Sequence, residues 1–485
     1  MEGKSRSMVT FRPLLIFLSL WAITWHVGPW GMPDRVSHRV FAVLLCILFV
    51  WTASAIVRVR TIRGLAGTRA DFVCTLAWLD RGKRAIFFLT CLLFVWIIVG
   101  LGWPSVVRVA WRLDRVPLFD ELVIISPLVM GLVGSSLILR LAEDSAAWKL
   151  HRLRYPLTDW LEWNPRILSA VRAEHAPWIL ITLFVLFTSD VVGWIEPWSA
   201  EAASWIGLFM MGTFTLAGLP LVLRLSLPLE RFPDGRLRSV LDRWAEIRRA
   251  PLRDILIWQS PQDVANAALT GAWARFRYVL LSRSLVDHLL PAQLLGVFGH
   301  EVGHARHRHL WHLLGVVMMM VASALLLAKS IATQARGQLP PPWSDLEQEL
   351  ILAGTAFVVA LPLYLLIGWM SRQFEFQADL EGCRAASVGI ARIDGRLPSS
   401  DQATEILPEG VRVFGSGLER VAIYNGMDPD RWSWRGGRLR DRILFLQKVE
   451  ADGRIGADFD RRLLRRLQLI YVSLGIVLAL SFCLL

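Results

Sequence analysis

The chain of 485 residues is poor in charged residues and in cysteine. Charged residues make up 19% of it, below the roughly 25% typical of soluble globular domains, whereas hydrophobic residues make up 54%. This composition excludes a disordered chain and a collagen-like fibre. The five cysteines are an odd number without metal-ligand spacing, which argues against a disulfide framework or a thiolate zinc site. A polytopic membrane protein is the class that remains.

Nine apolar runs are long enough, or nearly so, to cross a bilayer as a helix, which takes about 20 residues. They lie near residues 13–30, 40–57, 85–103, 120–139, 177–197, 204–223, 311–330, 350–370 and 468–485. The first run follows Lys4, Arg6 and Arg12 and lacks a small-residue cleavage site, so we expect a retained anchor instead of a signal peptide.

The distribution of basic residues predicts the orientation of these spans. The net charge is +12, and the segments 1–12, 58–84 and 140–176 are rich in Lys and Arg, whereas the segments between them are not. Because basic residues collect in cytoplasmic loops, we expect the N-terminus on the cytosolic side. The polar segments 224–310 and 371–467 then also lie in the cytosol.

One motif in the first of these segments is typical of a metal site. The run His300-Glu301-Val302-Gly303-His304 is an H-E-x-x-H pattern. On a helix the two imidazoles, four residues apart, share a face and can bind one ion, with the glutamate beside them. The alternative is a His-rich polar helix surface. A catalytic zinc takes three protein ligands, so the pattern calls for a third ligand elsewhere.

Glu375 is the best candidate for that ligand. Glu375 and Asp379 share a helical face by their spacing, and Asp379 could accept a hydrogen bond from a ligand imidazole. An exposed acidic pair is the alternative reading. Two apolar runs, 311–330 and 350–370, separate His304 from Glu375, and two spans return the chain to the side it left. The sequence therefore predicts a site built from two cytosolic pieces joined by a transmembrane hairpin.

The two motifs with the hairpin between them resemble the integral-membrane zinc metallopeptidase family of the type 1 CAAX prenyl proteases and HtpX. The run from Asn266 to Gly271 resembles the family's Asn-Ala-x-x-x-Gly edge strand, which implies that Asn266 and Ala267 bind substrate backbone. The segment that begins at Arg442 resembles a late Arg-Ile-x-x-Leu segment, with Arg442 in an oxyanion-binding or structural role. A histidine that often precedes it is replaced here by the stretch 432–437.

The resemblance implies a zinc metalloendopeptidase with one Zn²⁺ per chain. His300, His304 and Glu375 would hold the ion, Glu301 would act as general base, and Asp379 would orient His300. The expected partners are the lipid bilayer and membrane-associated or hydrophobic polypeptide substrates, with no nucleic acid. Damaged membrane proteins and lipidated C-termini both stay open as substrates, and so does the oligomeric state.

The expected fold is mainly α, with about nine transmembrane helices and a cytosolic zincin-like α+β peptidase domain split by a transmembrane hairpin. Residues 1–226 are predicted to form a membrane domain of six spans. Residues 227–485 are predicted to form the peptidase domain, with the hairpin at 311–370 and a last span at 468–485. A bacterial inner membrane, with the site on the cytosolic side, is the favoured location, and the endoplasmic reticulum membrane is the alternative.

Two other functions are weighed against a peptidase. A membrane sensor-protease needs a large outer domain, which the short predicted outer loops do not provide. A transporter or scaffold with a vestigial metal site would be expected to have lost the base or a ligand. Three further histidines receive plainer interpretations: His307 is a weak candidate for a fourth ligand or a proton shuttle, and His309 and His312 are expected to face lipid headgroups or solvent.

Overall fold

A computed structural model describes most of the chain as helices. The described residues are 36–65, 69–113, 118–151, 165–259, 264–335, 343–393 and 405–483, together with Leu15, Leu18, Ser19 and Ala22. The expectation of a mainly α protein is confirmed. The chain divides into two compact units that meet in sequence between Pro228 and Leu229, and each is described separately below.

The first unit consists of long helices. Its elements are α1 (Val36–Leu65), α2 (Arg69–Val99), α3 (Phe119–His151), α4 (Pro165–Ile195), α5 (Ala200–Thr213) and α6 (Leu219–Ser226). A short helix at Trp103–Ser105 runs into a π-helical turn, and a second π-helical turn joins α5 to α6. Large apolar side chains such as Phe41, Leu92 and Trp96 are exposed on these helices, as expected for surfaces that face lipid.

Six helices in the described part of the chain are long and apolar enough to cross a membrane: 36–65, 77–99, 119–140, 168–195, 205–226 and 454–483. They coincide with six of the nine predicted runs, and the chain is a multi-pass membrane protein. The run 13–30 lies outside the described residues except at four positions. The runs 311–330 and 350–370 lie on long helices of the second unit, for which side chains are described only in part.

In its described residues the second unit combines a small sheet with eight α-helices. The strands are β1 (Leu229–Arg231), β2 (Asp254–Trp258), β3 (Ala267–Thr270) and β4 (Tyr278–Ser282). Their order is β1-β2-β4-β3; β2 and β4 are parallel, and the other two pairs are antiparallel. The helices are α7 (Arg236–Ile247), α8 (Arg283–His288), α9 (Pro291–Arg306), α10 (His309–Ala335), α11 (Trp343–Ile393), α12 (Pro408–Tyr424), α13 (Leu439–Ala451) and α14 (Arg454–Cys483).

Small residues allow α9 and α11 to approach closely. A Cβ atom built on Gly299 of α9 would lie 2.3 Å from the Cβ of Ala385 in α11, and one on Gly303 would lie 2.9 Å from the Cβ of Glu381. Phe298 and Val302 of α9 are buried in the core. The two helices that carry the predicted ligands are therefore packed directly against each other.

We predict that Gly299→Ala destabilises the fold by about 1–3 kcal/mol, the usual cost of overpacking a tight contact. In an exposed helix interior the same exchange gains up to about 1 kcal/mol. Gly415→Ala in α12 is the matched control, because nothing lies within 4 Å of a Cβ at that position. Thermal unfolding in detergent should separate the two variants, and equal shifts would contradict the close packing.

Candidate metal centre

Helix α9 presents the two motif histidines to one point. It begins at Pro291, whose missing N–H costs nothing at a first helical position, and the Leu290 N–H donates to Gln293 Oε1 at 3.1 Å. One turn separates His300 from His304, and their Nε2 atoms lie 3.3 Å apart. Both ring nitrogens therefore point at the same volume.

Glu375 of α11 completes the set of donor atoms. Its Oε2 lies 3.6 Å from His300 Nε2, and its Oε1 lies 3.9 Å from His304 Nε2. Zinc bonds to nitrogen and carboxylate oxygen are about 2.0–2.2 Å long, which places the ligands of a tetrahedral ion about 3.3–3.6 Å apart. The residues present therefore fit a zinc ion in both chemistry and spacing. The carboxylate of Glu375 would have to move only slightly closer to the two imidazoles.

Asp379 lies directly behind His300. Its Oδ1 is 3.0 Å from His300 Nδ1, and the carboxylate is fully buried. Arg442 of α13 donates to both oxygens of Asp379, at 2.8 and 2.5 Å, and lies 3.0 Å from Glu375 Oε2. The guanidinium thus holds the orienting carboxylate through two hydrogen bonds and the ligand carboxylate through an ion pair.

The charges in the site keep Glu375 and His304 in the form that binds a cation, whereas His300 differs: burial would lower its pKa, but the hydrogen bond and charge of Asp379 raise it. Burial would raise the pKa of Glu375 and of Asp379, but Arg442 and the imidazoles lower both pKa values below their ordinary range. Burial and the neighbouring His300 lower the pKa of His304 to about 4, so this imidazole is neutral. Ionised carboxylates and a neutral imidazole are the required ligand states.

Glu301 lies on the same helix and lines the same cleft. Burial raises the pKa of Glu301 above its ordinary value. A pKa that lies closer to neutral pH makes this carboxylate a better proton acceptor. The cleft has a volume of about 470 Å³ and is bordered by α9, α11, α12 and the strand β3. A polypeptide segment can reach Glu301 from this side.

Strand β3 is the edge of the sheet, and it borders the cleft with Ala267 and Leu269. The backbone of Asn266 is bonded to Ser282: it accepts from Ser282 N–H at 2.8 Å, and its N–H donates to the side-chain Oγ of Ser282 at 2.9 Å. Because backbone groups alternate in direction along a strand, Ala267 and Leu269 direct theirs away from β4. Leu269 and Glu301 line the same cleft.

The prediction for His309 is wrong. Its side chain is 3% exposed, and its Nδ1 lies 2.8 Å from Nδ1 of His304. Helix α9 ends at Arg306, and Arg308 adopts a left-handed φ of 53°, so the chain folds back and brings His309 against the motif. Helical periodicity gave no signal for this contact, since five residues is not a helical repeat.

The other two histidines have partners away from the three donor atoms. His307 Nε2 lies 3.2 Å from Glu381 Oε1, so His307 is not placed as a fourth ligand. His312 Nδ1 lies 3.1 Å from the hydroxyl of Tyr471 in α14, in a half-buried contact instead of open solvent.

Glu381 is the centre of a buried ionic cluster that sequence reasoning missed. Arg248 donates to both of its oxygens at 2.8 and 2.6 Å, and Arg384, His307 and Arg306 lie 2.9, 3.2 and 3.3 Å from Oε1. Burial would raise the pKa of Glu381, but the hydrogen bond from His307 and the charges of Arg384 and Arg248 hold it well below its ordinary range. The cluster joins the segment after α7 to α9 and α11.

Comparison with known proteins relates part of the chain to one family and to several proteases. Residues 232–392 match the family described as Peptidase family M48. A "Protease HtpX homolog" of Archaeoglobus fulgidus is 30% identical over 173 residues, which cover 35% of this chain and 47% of that protein. The "Protease HtpX homolog" of Pyrobaculum islandicum is 27% identical over 265 residues, 50% of this chain and 74% of that protein.

Two further similarities extend this set. "Protease HtpX" of Haemophilus influenzae is 28% identical over 193 residues, which cover 36% of this chain and 66% of that protein. The match thus spans about half to three quarters of the length of these relatives. The crystal structure of S. mikatae Ste24p aligns over 91% of this chain and 99% of that one, with a TM-score of 0.40 and 14% identity.

We predict that Glu381→Gln destabilises the fold by about 3–5 kcal/mol, because it leaves buried arginines without their counter-ion. Glu409→Gln, which removes an exposed ion pair with Arg412, is the control and should cost less than about 1 kcal/mol.

The pH dependence of the same variant follows from the lowered pKa of Glu381. Above the ordinary carboxyl pKa of about 4.3 the contribution of Glu381 is complete. It is lost as the pH falls below that value toward the folded-state pKa, since only the unfolded chain then takes up the proton. Unfolding midpoints of wild type and Glu381→Gln should therefore converge in acid; a constant difference down to low pH would contradict the ionised cluster.

Proposed function

We propose that this chain, whose residues 232–392 form a domain of peptidase family M48, is a multi-pass membrane metalloendopeptidase that hydrolyses peptide bonds with one zinc ion. The observation that carries the proposal is the convergence of His300, His304 and Glu375, whose donor atoms lie within 4.8 Å of one another beside Glu301. These are the ligand types and the number of ligands of a catalytic zinc site with one open position.

The proposed chemistry divides between the ion and the chain. Zinc, when bound, polarises the scissile carbonyl and makes a water molecule acidic enough to attack near neutral pH. Glu301 takes the proton from the attacking water and passes it to the leaving amine. Its raised pKa favours the first transfer, because the conjugate base of a weaker acid accepts a proton more readily.

Arg442 and Asp379 serve as positioning residues in this proposal. Asp379 fixes the ring of His300 so that Nε2 faces the ion, as carboxylate partners of metal-bound imidazoles do. Of the two roles considered for Arg442, the structural one is favoured over oxyanion binding. Its three guanidinium nitrogens already face Asp379 and Glu375.

Substrate binding is assigned to the open side of β3. An extended segment of the substrate adds as a strand beside Ala267 and Leu269, whose backbone groups point away from β4. The backbone of Asn266 is paired with Ser282, so Asn266 contributes through its exposed side chain. A substrate backbone bound there would lie in the cleft that Glu301 also lines.

The substrates proposed are membrane-associated or hydrophobic polypeptides, and the site lies on the cytosolic side of a bacterial inner membrane or, in a eukaryote, of the endoplasmic reticulum. The distribution of basic residues supports this orientation. A transporter or scaffold with a vestigial site is disfavoured, since the three ligands, the base and the orienting carboxylate are all in place.

We predict that Glu301→Gln lowers the rate of hydrolysis of a casein-type substrate by at least about 100-fold, the lower range for loss of a general base. Bound zinc should stay near one per chain, because Glu301 is not a ligand. Glu419→Gln, an exposed glutamate on α12, is the control and should keep full activity. A Glu301→Gln enzyme as active as wild type would contradict the assignment of the base.

Ala267→Pro tests the substrate edge by removing one N–H from the open side of β3. We expect an increase in KM of about 3- to 10-fold, as expected for one hydrogen bond worth about 0.5–1.5 kcal/mol, with little change in Tm. Ala268→Pro, whose N–H faces β4, should lower Tm instead. An unchanged KM in Ala267→Pro would remove β3 from the substrate site.

A further inference from the structure

We propose that His309 is a positioning residue for the metal ligand His304, through a chain of hydrogen bonds that runs by way of Gln377 to Asp460 of α14. The proposal rests on the proposed function, in which His304 binds zinc through Nε2. It assigns a role to three side chains that neither the H-E-x-x-H motif nor Glu375 and Asp379 include.

The contacts form an unbroken line of polar atoms. His304 Nδ1 lies 2.8 Å from His309 Nδ1, and His309 Nε2 lies 3.0 Å from Gln377 Oε1. Gln377 Nε2 donates to Asp460 Oδ1 at 2.9 Å. His309 is 3% exposed and Gln377 is 8% exposed, so water does not compete freely for these bonds.

The chemistry of the last acceptor sets the direction of the bonds to Gln377 and to His309 Nε2, and a neutral His309 then sets the direction of the bond to His304. The carboxylate of Asp460 only accepts, so the amide nitrogen of Gln377 faces it and the amide oxygen is left to accept from His309 Nε2–H. A neutral imidazole protonated at Nε2 has a lone pair at Nδ1. His304 must therefore donate its Nδ1–H to His309.

This direction has a consequence for metal binding. A neutral His304 that carries its proton on Nδ1 has its free lone pair on Nε2, the atom that faces His300 and Glu375. If His309 were protonated on both nitrogens, it could only donate, and His304 would have to accept at Nδ1. A neutral His304 would then carry its proton on its own Nε2, which would block ligation. The line of bonds thus selects the tautomer that a metal requires.

Stacking holds the ring of His309 in the plane that this contact needs. Its centroid lies 4.1 Å from that of Phe374, with 6° between the planes, and 5.8 Å from that of His307, with 16° between the planes. The ring cannot turn about without losing its contacts with these two rings.

The two ligand histidines are therefore oriented by different means. His300 is bonded to the carboxylate of Asp379, whereas His304 is bonded to a neutral imidazole. Asp460 belongs to the first part of α14, whose length and composition suit a membrane span. The last helix of the chain therefore helps to define a ligand that lies 156 residues earlier in the sequence.

The test measures the affinity of the purified full-length chain for zinc, by competition with a chromophoric chelator in detergent. His309→Phe keeps the ring and its stacking but removes the acceptor, and zinc should bind about 10- to 100-fold more weakly. His309→Asn places an amide oxygen near the position of Nδ1 and should recover most of this loss. His312→Phe, the same exchange one turn along α10, is the control and should leave the affinity unchanged.

A second measurement separates positioning from packing. The visible absorption of Co²⁺ bound in place of zinc reports the ligand field, and it should shift in His309→Phe and return toward wild type in His309→Asn. Where His309→Phe does not fold, Gln377→Met carries the test, with an expected loss of affinity of about tenfold.

Three results are decisive. Unchanged zinc affinity in His309→Phe, or in Gln377→Met where that variant carries the test, overturns the inference. Equal losses in the Phe and Asn variants also overturn it, because they would show that packing and not the acceptor matters. A wild-type chain that binds no zinc contradicts the proposed function itself, which is a different failure.

Discussion

The close contact between α9 and α11 is the constraint on which the metal centre depends. Gly299 and Gly303 leave room for the backbone and side chains of α11, so the two helices approach more closely than larger side chains would allow. Each helix then presents its own i, i+4 pair toward the other. The ligand atoms are held by helical backbone on both sides, which fixes their spacing more firmly than loops would.

Charge balance is the second condition for this site. Helix α11 carries the half-buried Glu375 and the buried Asp379 and Glu381, and each of these carboxylates has an arginine beside it. Without Arg442 and Arg248, burial would favour the protonated acids, which neither bind metal nor orient an imidazole. The cations therefore stabilise the packing and the ligand chemistry at once.

Helical periodicity and the parity of the apolar runs predicted much of this arrangement, because they depend only on local spacing. The pairs His300 with His304 and Glu375 with Asp379 are such cases, and the structure brings all four together. His309 and Glu381 could not be found in this way. The contact made by His309 depends on the left-handed backbone of Arg308, just after the end of α9. The partners of Glu381 lie as far as 133 residues away in the sequence.

The central claim is that two imidazoles and one carboxylate hold a single zinc ion. X-ray absorption at the zinc edge of the purified, zinc-loaded chain tests it most directly. The account predicts one zinc per chain with nitrogen and oxygen neighbours at about 2.0–2.2 Å and an imidazole contribution from two rings. A sulfur neighbour at about 2.3 Å, or a chain that retains no zinc, would contradict it.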